Sequence, residues 1–567
     1  MMPAALSQFS AHRRLQGFVI LLATVCLPAM PQTPHSSSPP ASGLYRIAGK
    51  VVNAVTGEPV RRAAVALLAV EDSRPIASVE SGNDGSFALE GLPAAKYQLT
   101  ASRRGFRTAF YDEHDEFSTA IVTGAGQETT NLTFRLVPGA LLHGVVTADG
   151  GDPVEGADVM LFLKPHRPGD RIVEAGSALT DDTGAYEFGN LAAGEYLLAV
   201  KAEPWYALHH PSINTHPRPA NDPSAALDVA YPVTYFDSTT DETSASPIVL
   251  AGGSREEANI TLHAVPALHL TLEAPRAERG EVIPVLHQTI FGAKVFTESL
   301  ASPPDPRQAT VEFTGIAPGH YEVEQAEPRI VELDATVNQR IDTSLGTPTV
   351  EISGTLQTSS GSSLKDEATV TLEPLDSALR QTPIQTVCLQ GAFSFPKVPP
   401  GAWELWPESA GRQLPIPSIA VDGRTHVGNR LTVQDRPLSV VVTVSQAETR
   451  IEGFARMIGT TGAPSDRFSS LGWKGIAGVM VVLVPKNRSA FRSLVRRDQS
   501  DSDGSFALRD VVPGQYTLVA IPDGWALDWA QPELIGRYLP KGVAVTITEN
   551  SGKLVRLSEP VPVQARY

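Results

Sequence analysis

The sequence contains only two cysteines, Cys26 and Cys388, in 567 residues. If the N-terminal segment that carries Cys26 is removed, one cysteine remains and no internal disulfide can form. An exported protein without disulfides must be stabilised by its apolar cores. We expect Cys388 to be a buried small hydrophobe on a strand.

Positive charge and long hydrophobic runs are also scarce. The net charge is −16, and nucleic-acid binding requires a basic surface that this sequence does not provide. After the N-terminal segment, the longest apolar run is 475–484, which has the length of a strand and is too short to span a bilayer. We therefore expect no nucleic-acid partner and no integral membrane span in the mature chain.

Motifs of known catalytic sites are missing as well. The sequence has no Gly-x-Ser-x-Gly elbow, no His-Glu-x-x-His and no Cys-x-x-Cys. The stretch 43–50 resembles a phosphate loop, but five residues separate its glycines and Val51 stands where Ser or Thr must bind Mg²⁺. These absences predict a protein that is not an enzyme and has no cofactor, with an unrecognised hydrolase as the remaining alternative.

The first 30 residues have the features of a signal peptide. Basic residues 12–14 precede an apolar stretch, 15–27, and Leu27-x-Ala29 is an acceptable cleavage context. Two alternatives remain, a signal anchor that stays attached and a lipoprotein with Cys26 as the lipid acceptor. Residues 31–43 form a Pro/Ser-rich linker. We expect export to the periplasm, the cell surface or the medium.

One motif recurs along the rest of the chain. A glycine-containing turn is followed by an aromatic residue, and a second aromatic stands ten residues later. Glycine suits the turn because it accepts positive φ. The spacing predicts two aromatics on adjacent antiparallel strands, in contact across a hairpin. The pairs are Phe87/Tyr97, Tyr186/Tyr196, Phe393/Trp403 and Phe506/Tyr516, with a degraded copy at Val311/Tyr321.

Each of the four intact copies opens with a strand that contains a central glycine, and no convincing amphipathic helix is present. About seven short strands per copy, with a turn about every 8–12 residues, are typical of a β-sandwich. The sequence therefore predicts an all-β fold of tandem Ig-like or prealbumin-like antiparallel β-sandwich modules. The predicted modules are 44–138, 139–265, 266–347 (degenerate), 348–436 and 437–567.

The motifs of the first copy resemble the carboxypeptidase regulatory-like domain. They are Gly49-Lys-Val-Val, Gly57-Glu-Pro-Val, Ala64-Val-Ala-Leu and Asp84-Gly-Ser-Phe, followed by Tyr97. The resemblance extends over roughly 44–567 and is clearest in the first, second and fifth copies. It implies a transthyretin-like sandwich, also grouped with starch-binding-like folds, of an exported bacterial type. Such modules accompany peptidases, TonB-dependent transporters and carbohydrate-active enzymes, and are not themselves catalytic.

Aromatic residues outside the repeat are the candidate ligand-binding residues. Trp205 and Tyr206 lie in a Pro-rich loop with three histidines, and Trp525 and Trp529 follow the last repeat. Exposed rings of this kind can stack on sugars. Two other interpretations stay open: metal binding by His209, His210 and His216, and ordinary packing of the loop or, for Trp525 and Trp529, of the last core.

Two acidic segments are candidate cation sites with simpler explanations. The segment 501–505, Asp-Ser-Asp-Gly-Ser, resembles half a calcium loop, but the later bidentate Glu is missing. We interpret it as a turn whose Asp side chains cap backbone N–H groups. His114 lies within the acidic run 112–116, which we expect to be a solvated loop. No metal site is predicted.

The combined features favour a non-catalytic array of binding modules. Carbohydrate is the best-supported ligand class, by analogy with the starch-binding-like fold and from the clustered Trp and Tyr residues. The alternative is a structural or accessory scaffold of a cell-envelope complex, partnering a transporter or a peptidase through exposed strand edges. The expected partners are thus a polysaccharide or an envelope protein.

Overall fold

The structure is a computed structural model. The predicted signal peptide (1–30) and linker (31–43) lie outside the residues that it describes, and so do His210, His216 and Trp529. The described residues are 44–165, 172–209, 223–273, 285–296, 300–301, 310–324, 329–375, 382–445, 449–458, 473–487, 491–527, 531–548 and 551–564.

Within these residues, the strands pair into five two-sheet β-sandwiches that follow one another along the chain. Each has a core of buried apolar side chains contributed by both of its sheets. The predicted all-β class with tandem β-sandwiches is therefore confirmed. We name them the first to fifth sandwich, and they span 45–136, 140–266, 268–348, 350–444 and 450–562.

The first and second sandwiches have the following strands, given sheet by sheet. In the first sandwich they are Ser86–Leu92, Tyr45–Asn53 and Leu132–Leu136, then Pro75–Glu80, Ala64–Ala69, Lys96–Ser102, Ala109–Phe110 and Ile121–Val122. In the second they are Ala185–Leu191, Ala140–Ala148, Arg255–Glu257 and Ile260–Leu262, then Val173–Leu179, Asp158–Lys164, Gly194–Lys201, Thr234–Tyr235 and Ile248–Leu250, with a separate pair Val229–Ala230 and Val265–Pro266.

The third and fourth sandwiches follow the same plan. The strands of the third are Leu300–Ala301, Thr310–Ile316, Leu268–Glu273 and Gln339–Asp342, then Ala293–Phe296, Val285–Ile290, Gly319–Glu324, Arg329–Ala335 and Thr347–Pro348. Those of the fourth are Ala392–Val398, Val350–Thr358, Leu438–Val444, Ser418–Val421 and Arg424–Val427, then Ile384–Cys388, Ala368–Pro374, Gly401–Ser409, Arg412–Gln413 and Arg430–Val433.

The fifth sandwich also carries short helices. Its strands are Trp473–Gly475, Arg450–Ile458, Ser505–Leu508, Leu554–Arg556 and Val561–Pro562, then Arg496–Gln499, Met480–Pro485, Gly514–Ile521 and Val543–Ile547. The α-helices are Phe491–Leu494 and Pro532–Gly536. Short 3₁₀-helices occur at Pro223–Leu227, Glu242–Ser244, Thr343–Leu345, Gly524–Ala526 and Leu539–Lys541.

The two aromatics of each repeat lie in opposite sheets. Phe87 is on Ser86–Leu92 of one sheet, and Tyr97 is on Lys96–Ser102 of the other. The predicted contact across a hairpin is therefore wrong. The short connection at 93–95 does not turn the chain back within a sheet but carries it across the core, over the roughly 10 Å that separate stacked sheets.

The second aromatic of every repeat makes the same hydrogen bond. Tyr97 donates its hydroxyl to the carbonyl of Pro93, four residues earlier, at 3.0 Å. Trp403 does the same through its indole N–H, to Pro399 at 3.2 Å. Each of these rings is nearly fully buried, so the bond satisfies a polar atom that would otherwise be costly in the core. The remaining bonds are Tyr196 to Ala192, Tyr321 to Ala317 and Tyr516 to Val512.

The opening strand of each sandwich pairs in parallel with a strand near the end of the same sandwich. In the first sandwich, Tyr45–Asn53 pairs in parallel with Leu132–Leu136, and equivalent parallel pairs occur in the other four. Most of the remaining pairs are antiparallel, as the sequence predicts. In the fourth sandwich the parallel partner of Val350–Thr358 is Leu438–Val444, so the predicted boundary at 436 falls one strand too early.

Candidate functional site

Trp205 is the most exposed of the large hydrophobic side chains in the described part of the chain, with 92% of its surface accessible. It stands in the loop that follows strand Gly194–Lys201 of the second sandwich. The ring of Tyr206 meets it edge to face, with centroids 5.7 Å apart and an interplanar angle of 86°. Tyr206 therefore supports one side of the indole and leaves most of its surface open to solvent.

Tyr206 is hydrogen-bonded to Tyr231, and acidic groups lie near Tyr231. The pKa of Tyr231 is raised to about 12, chiefly by burial. A hydrogen bond with Tyr206 and the negative charges of Asp149 and Asp152 add to this effect. Asp149 also pairs with His263, and both side chains are more than half exposed. We call this group the Trp205 patch; it consists of Trp205, Tyr206, Tyr231, Asp149, Asp152 and His263.

The C-terminal end of the loop that carries Trp205 is held by contacts of Leu208 and His209. The N–H of Leu208 donates to the carbonyl of Leu227 at 2.8 Å. One residue later, Nδ1 of His209 lies 2.9 Å from Oδ1 of Asp228. These bonds hold the end of the loop that follows Trp205 against the body of the second sandwich.

His209 begins a buried chain of ionisable groups that sequence reasoning missed. Asp228 contacts His209 through one oxygen and Nε2 of His269 through the other, at 2.7 Å. Nδ1 of His269 lies 3.3 Å from Oε1 of Glu312. Burial raises the pKa of Asp228, but the hydrogen bonds from the two histidines outweigh burial and leave that pKa below its ordinary value.

The chain from His209 to Glu312 joins two sandwiches, because His269 and Glu312 belong to the third. His209 was a candidate metal ligand together with His210 and His216, which lie outside the described residues. Among the described residues, no group of three or more His, Cys, Asp or Glu side chains is arranged to hold a metal ion. His209 instead pairs with the carboxylate of Asp228.

Trp525 lies where the fifth sandwich contacts the first. Its ring stacks on His114 at a centroid distance of 5.6 Å and on Phe117 at 5.4 Å. The guanidinium of Arg497 lies over both Phe117 and Trp525, and the indole N–H donates to Gly478. Trp525 is thus used in packing between sandwiches. Trp529 lies outside the described residues, and its role stays a prediction.

The acidic run around His114 is not simply solvated, contrary to the prediction. Arg497 of the fifth sandwich forms ion pairs of 3.1 Å with both Asp115 and Glu116. Nδ1 of His114 lies 3.1 Å from the side-chain oxygen of Gln499. Two of its carboxylates thus pair with a basic side chain from a sandwich almost 400 residues later in the sequence.

The segment 501–505, which resembles half a calcium loop, binds the side-chain ammonium of Lys96. Nζ of Lys96, from the first sandwich, lies 2.6 Å from Oδ2 of Asp501 and 2.7 Å from Oγ of Ser505. Asp503 accepts the N–H of Ser505 at 2.9 Å, which agrees with the turn interpretation. Burial raises the pKa of Asp501, although the charge of Lys96 opposes it. Burial also raises the pKa of nearby Asp498, to about 7.

Two further features bear on the sequence predictions. Cys388 is a free thiol with no exposed surface, and burial raises its pKa, so the prediction of a buried small hydrophobe is confirmed. Within the residues described, no helix combines the length and the apolar character needed to cross a membrane.

Comparison with known proteins supports the assignment of the first sandwich. Residues 46–137 match the family model of the carboxypeptidase regulatory-like domain, as the resemblance implied. No curated protein matches the sequence.

Among solved structures, the chain is similar to the streptococcal ancillary pilin, with 10% identity over 52% of this chain and 98% of that chain (TM-score 0.20). It is also similar to the Bacillus anthracis TIE protein, with 10% identity over 93% and 76% (TM-score 0.15). A third is the shaft pilin SpaA of Lactobacillus rhamnosus GG, with 8% identity over 40% and 98% (TM-score 0.20). Likeness at this level does not bear on function.

Proposed function

We propose that this chain is a non-catalytic, exported array of β-sandwich modules that binds carbohydrate through the Trp205 patch. The observation that carries the proposal is the 92% exposure of Trp205 beside Tyr206. An indole that is held in place but left in water is suited to stack on the apolar face of a sugar ring. As part of this proposal, we keep the predicted module boundaries but extend the fourth module to residue 444.

The polar members of the patch fit the same ligand class. Sugars present apolar C–H faces and a rim of hydroxyl groups, and they are bound where an aromatic face lies close to hydrogen-bonding groups. Asp152 is exposed, and it lies with Asp149 close enough to Tyr231, the hydrogen-bond partner of Tyr206, to affect the pKa of Tyr231. Carboxylate acceptors therefore lie near Tyr231, which is linked to the indole through Tyr206.

The test is the affinity of the full chain for a panel of immobilised polysaccharides, followed by variants. We expect Trp205→Ala to weaken binding about 30-fold, as for a central contact worth about 2 kcal/mol. Trp205→Phe should retain most of the affinity because it keeps an aromatic face. Leu345→Ala is the matched control, since Leu345 is 81% exposed in the third sandwich. Binding that is equal in all four proteins would reject the Trp205 patch as the site.

A scaffold function is the second candidate, and one observation favours it. The seven-residue strand Val173–Leu179 lies at the edge of a sheet in the second sandwich, with Val173 53% exposed and Leu179 70% exposed. Exposed edges of this kind can pair with a strand of another protein. If the chain is a scaffold of an envelope complex, Leu179→Lys should remove a specific envelope partner in cross-linking, whereas Trp205→Ala should not.

A further inference from the structure

The turn 501–505 of the fifth sandwich lies directly against the backbone of the first sandwich. The N–H of Ser502 donates to the carbonyl of Ala120 at 2.9 Å, and the N–H of Ala120 donates to Oδ1 of Asp501 at 3.2 Å. The N–H of Val122 donates to Oγ of Ser502 at 2.8 Å. Backbone groups of two sandwiches that are far apart in the sequence are therefore satisfied by each other.

Ion pairs cross the same contact in both directions. The first sandwich supplies the cation Lys96 to Asp501, whereas the fifth supplies the cation Arg497 to Asp115 and Glu116. The side chain of Arg497 is only 9% exposed and that of Asp501 only 14% exposed. Charges that are shielded in this way discriminate against a surface that presents the wrong sign. The two sides of the contact are therefore complementary to each other, and they are not alike.

A buried glutamine adds specific hydrogen bonds between the two sides. Nε2 of Gln499 donates to the carbonyl of Asp112 at 2.5 Å and to Oγ1 of Thr119 at 2.8 Å. We call the two sides the first-sandwich surface and the fifth-sandwich surface. The former consists of Lys96 and segment 112–122, and the latter consists of Arg497, Gln499, segment 501–505 and Trp525.

The contact joins the two sandwiches without merging their cores. In the described part of the chain, no cluster of buried apolar side chains contains residues of both sandwiches. The junction between the second and third sandwiches is different, because Phe162 of the second shares such a cluster with Ile290 and Phe291 of the third. Polar interfaces between domains that have their own cores resemble those of transient complexes. The first and fifth sandwiches can therefore separate and keep their cores intact.

We propose that the first-sandwich surface and the fifth-sandwich surface are a docking pair that also joins two copies of this chain, with the first sandwich of one copy on the fifth sandwich of the next. Every copy carries one surface of each kind, and a contact between two different surfaces links copies head to tail. Because one chain carries both surfaces, each finds the other at a high local concentration. The contact within one chain therefore predominates in dilute solution, and the contact between copies forms where the chain is crowded or where the internal contact is lost. The proposal does not depend on any ligand of the Trp205 patch.

The experiment exchanges the charges of the two surfaces in the full chain. One variant carries Arg497→Glu, and the other carries Asp115→Arg together with Glu116→Arg. In either variant alone, like charges face each other at the contact, both within a chain and between identical copies. In an equimolar mixture, every contact between the two different variants pairs opposite charges, since substituted positions face substituted positions and native residues face native residues. We expect each variant alone to sediment as a monomer, and the mixture to form complexes with equal numbers of both variants and at least twice that mass.

Arg46→Glu mixed with Glu90→Arg is the matched control, because this exposed ion pair lies within the first sandwich and its exchange should not join copies. Circular dichroism verifies that each variant is folded. If a variant at position 497 does not fold, the second ion pair carries the same test through Lys96→Glu mixed with Asp501→Lys. A mixture of folded variants that stays monomeric, or a control mixture that associates as well, would overturn the proposal.

Discussion

Phe393 lies over Gly354 on the neighbouring strand so closely that a Cβ on Gly354 would come within 2.2 Å of its ring. The two residues are direct partners in the ladder. The same pairing of the repeat's first aromatic with the central glycine occurs in three other sandwiches. In the third sandwich the pair is Leu272 with Val311. The glycine is therefore absent from the sandwich that lacks the ring.

Gly354→Ala is expected to destabilise the fourth sandwich by about 1–3 kcal/mol, the usual cost of overpacking a core. The added methyl group cannot be accommodated unless Phe393 leaves its position. Gly189→Ala is the control, because a Cβ there meets only Leu141, at 3.9 Å. Chemical denaturation of both variants measures the difference, and equal midpoints would contradict this role for the glycine.

The third sandwich suggests a compensating exchange. Gly354→Leu combined with Phe393→Val transfers the pair found at Leu272 and Val311 into the fourth sandwich. We expect the double variant to be more stable than Gly354→Leu alone by at least about 1 kcal/mol, because the smaller side chain leaves room for the larger one. A double-mutant cycle in denaturant measures this coupling. Additive effects would show that the two positions are independent.

Tyr516→Phe tests the hydrogen bond made by the second aromatic of the repeat. The hydroxyl of Tyr516 donates to Val512 at 2.8 Å within a buried environment. Removing it leaves the carbonyl without this partner, and we expect a loss of about 1–2 kcal/mol in the free energy of unfolding. Tyr45→Phe, at the partly exposed start of the first strand, should change stability by less than about 0.5 kcal/mol.

The buried tyrosines also predict alkaline sensitivity. Burial raises the pKa of Tyr516 to about 12, whereas an unfolded tyrosine titrates near 10. The folded chain therefore binds more protons between these two values, and its stability is complete below about pH 10 and falls as the pH rises towards 12. Each such tyrosine contributes a slope of at most about 1.4 kcal/mol per pH unit. Denaturation followed at several alkaline pH values measures the slope, and Tyr516→Phe should reduce it.

The contact between the first and fifth sandwiches predicts coupling between distant residues. Lys96→Met leaves the carboxylate of Asp501 partly buried without its cation, so we expect a loss of about 1–3 kcal/mol. Adding Asp501→Asn should recover part of that loss, which a double-mutant cycle measures. Lys164→Met is the control, because its ion pair with Glu195 is almost half exposed and should be worth less than about 1 kcal/mol.

Much of the fold follows from local sequence patterns. Each glycine-containing turn and each aromatic pair marks a core, because both rings of the pair are buried. The pattern cannot show whether the chain turns back or crosses the core at 93–95, since the same small residues suit both connections. Nor can it show that the partner of Tyr45–Asn53 runs parallel, because strand direction leaves no trace in the alternation of apolar residues.

The candidate site was less predictable. The sequence left open whether Trp205 is exposed or packs within its Pro-containing loop, and the structure exposes it. Nothing near Trp525 in the sequence reveals that Phe117 covers it. His269 and Glu312 alternate with core residues, a pattern typical of a solvent-facing side of a sheet. They are shielded because the second sandwich, with Asp228, contacts that side. Contacts between parts so distant in sequence depend on how whole sandwiches pack.

The parallel pairing of terminal strands has a mechanical consequence. Because Tyr45–Asn53 and Leu132–Leu136 run side by side in the same direction, the chain enters the first sandwich at one end and leaves at the other. Tension applied along the backbone would load the hydrogen bonds between these strands together, in shear, instead of one at a time. The same geometry recurs in the other four sandwiches. Each sandwich is therefore built to resist stretching, whatever the chain binds.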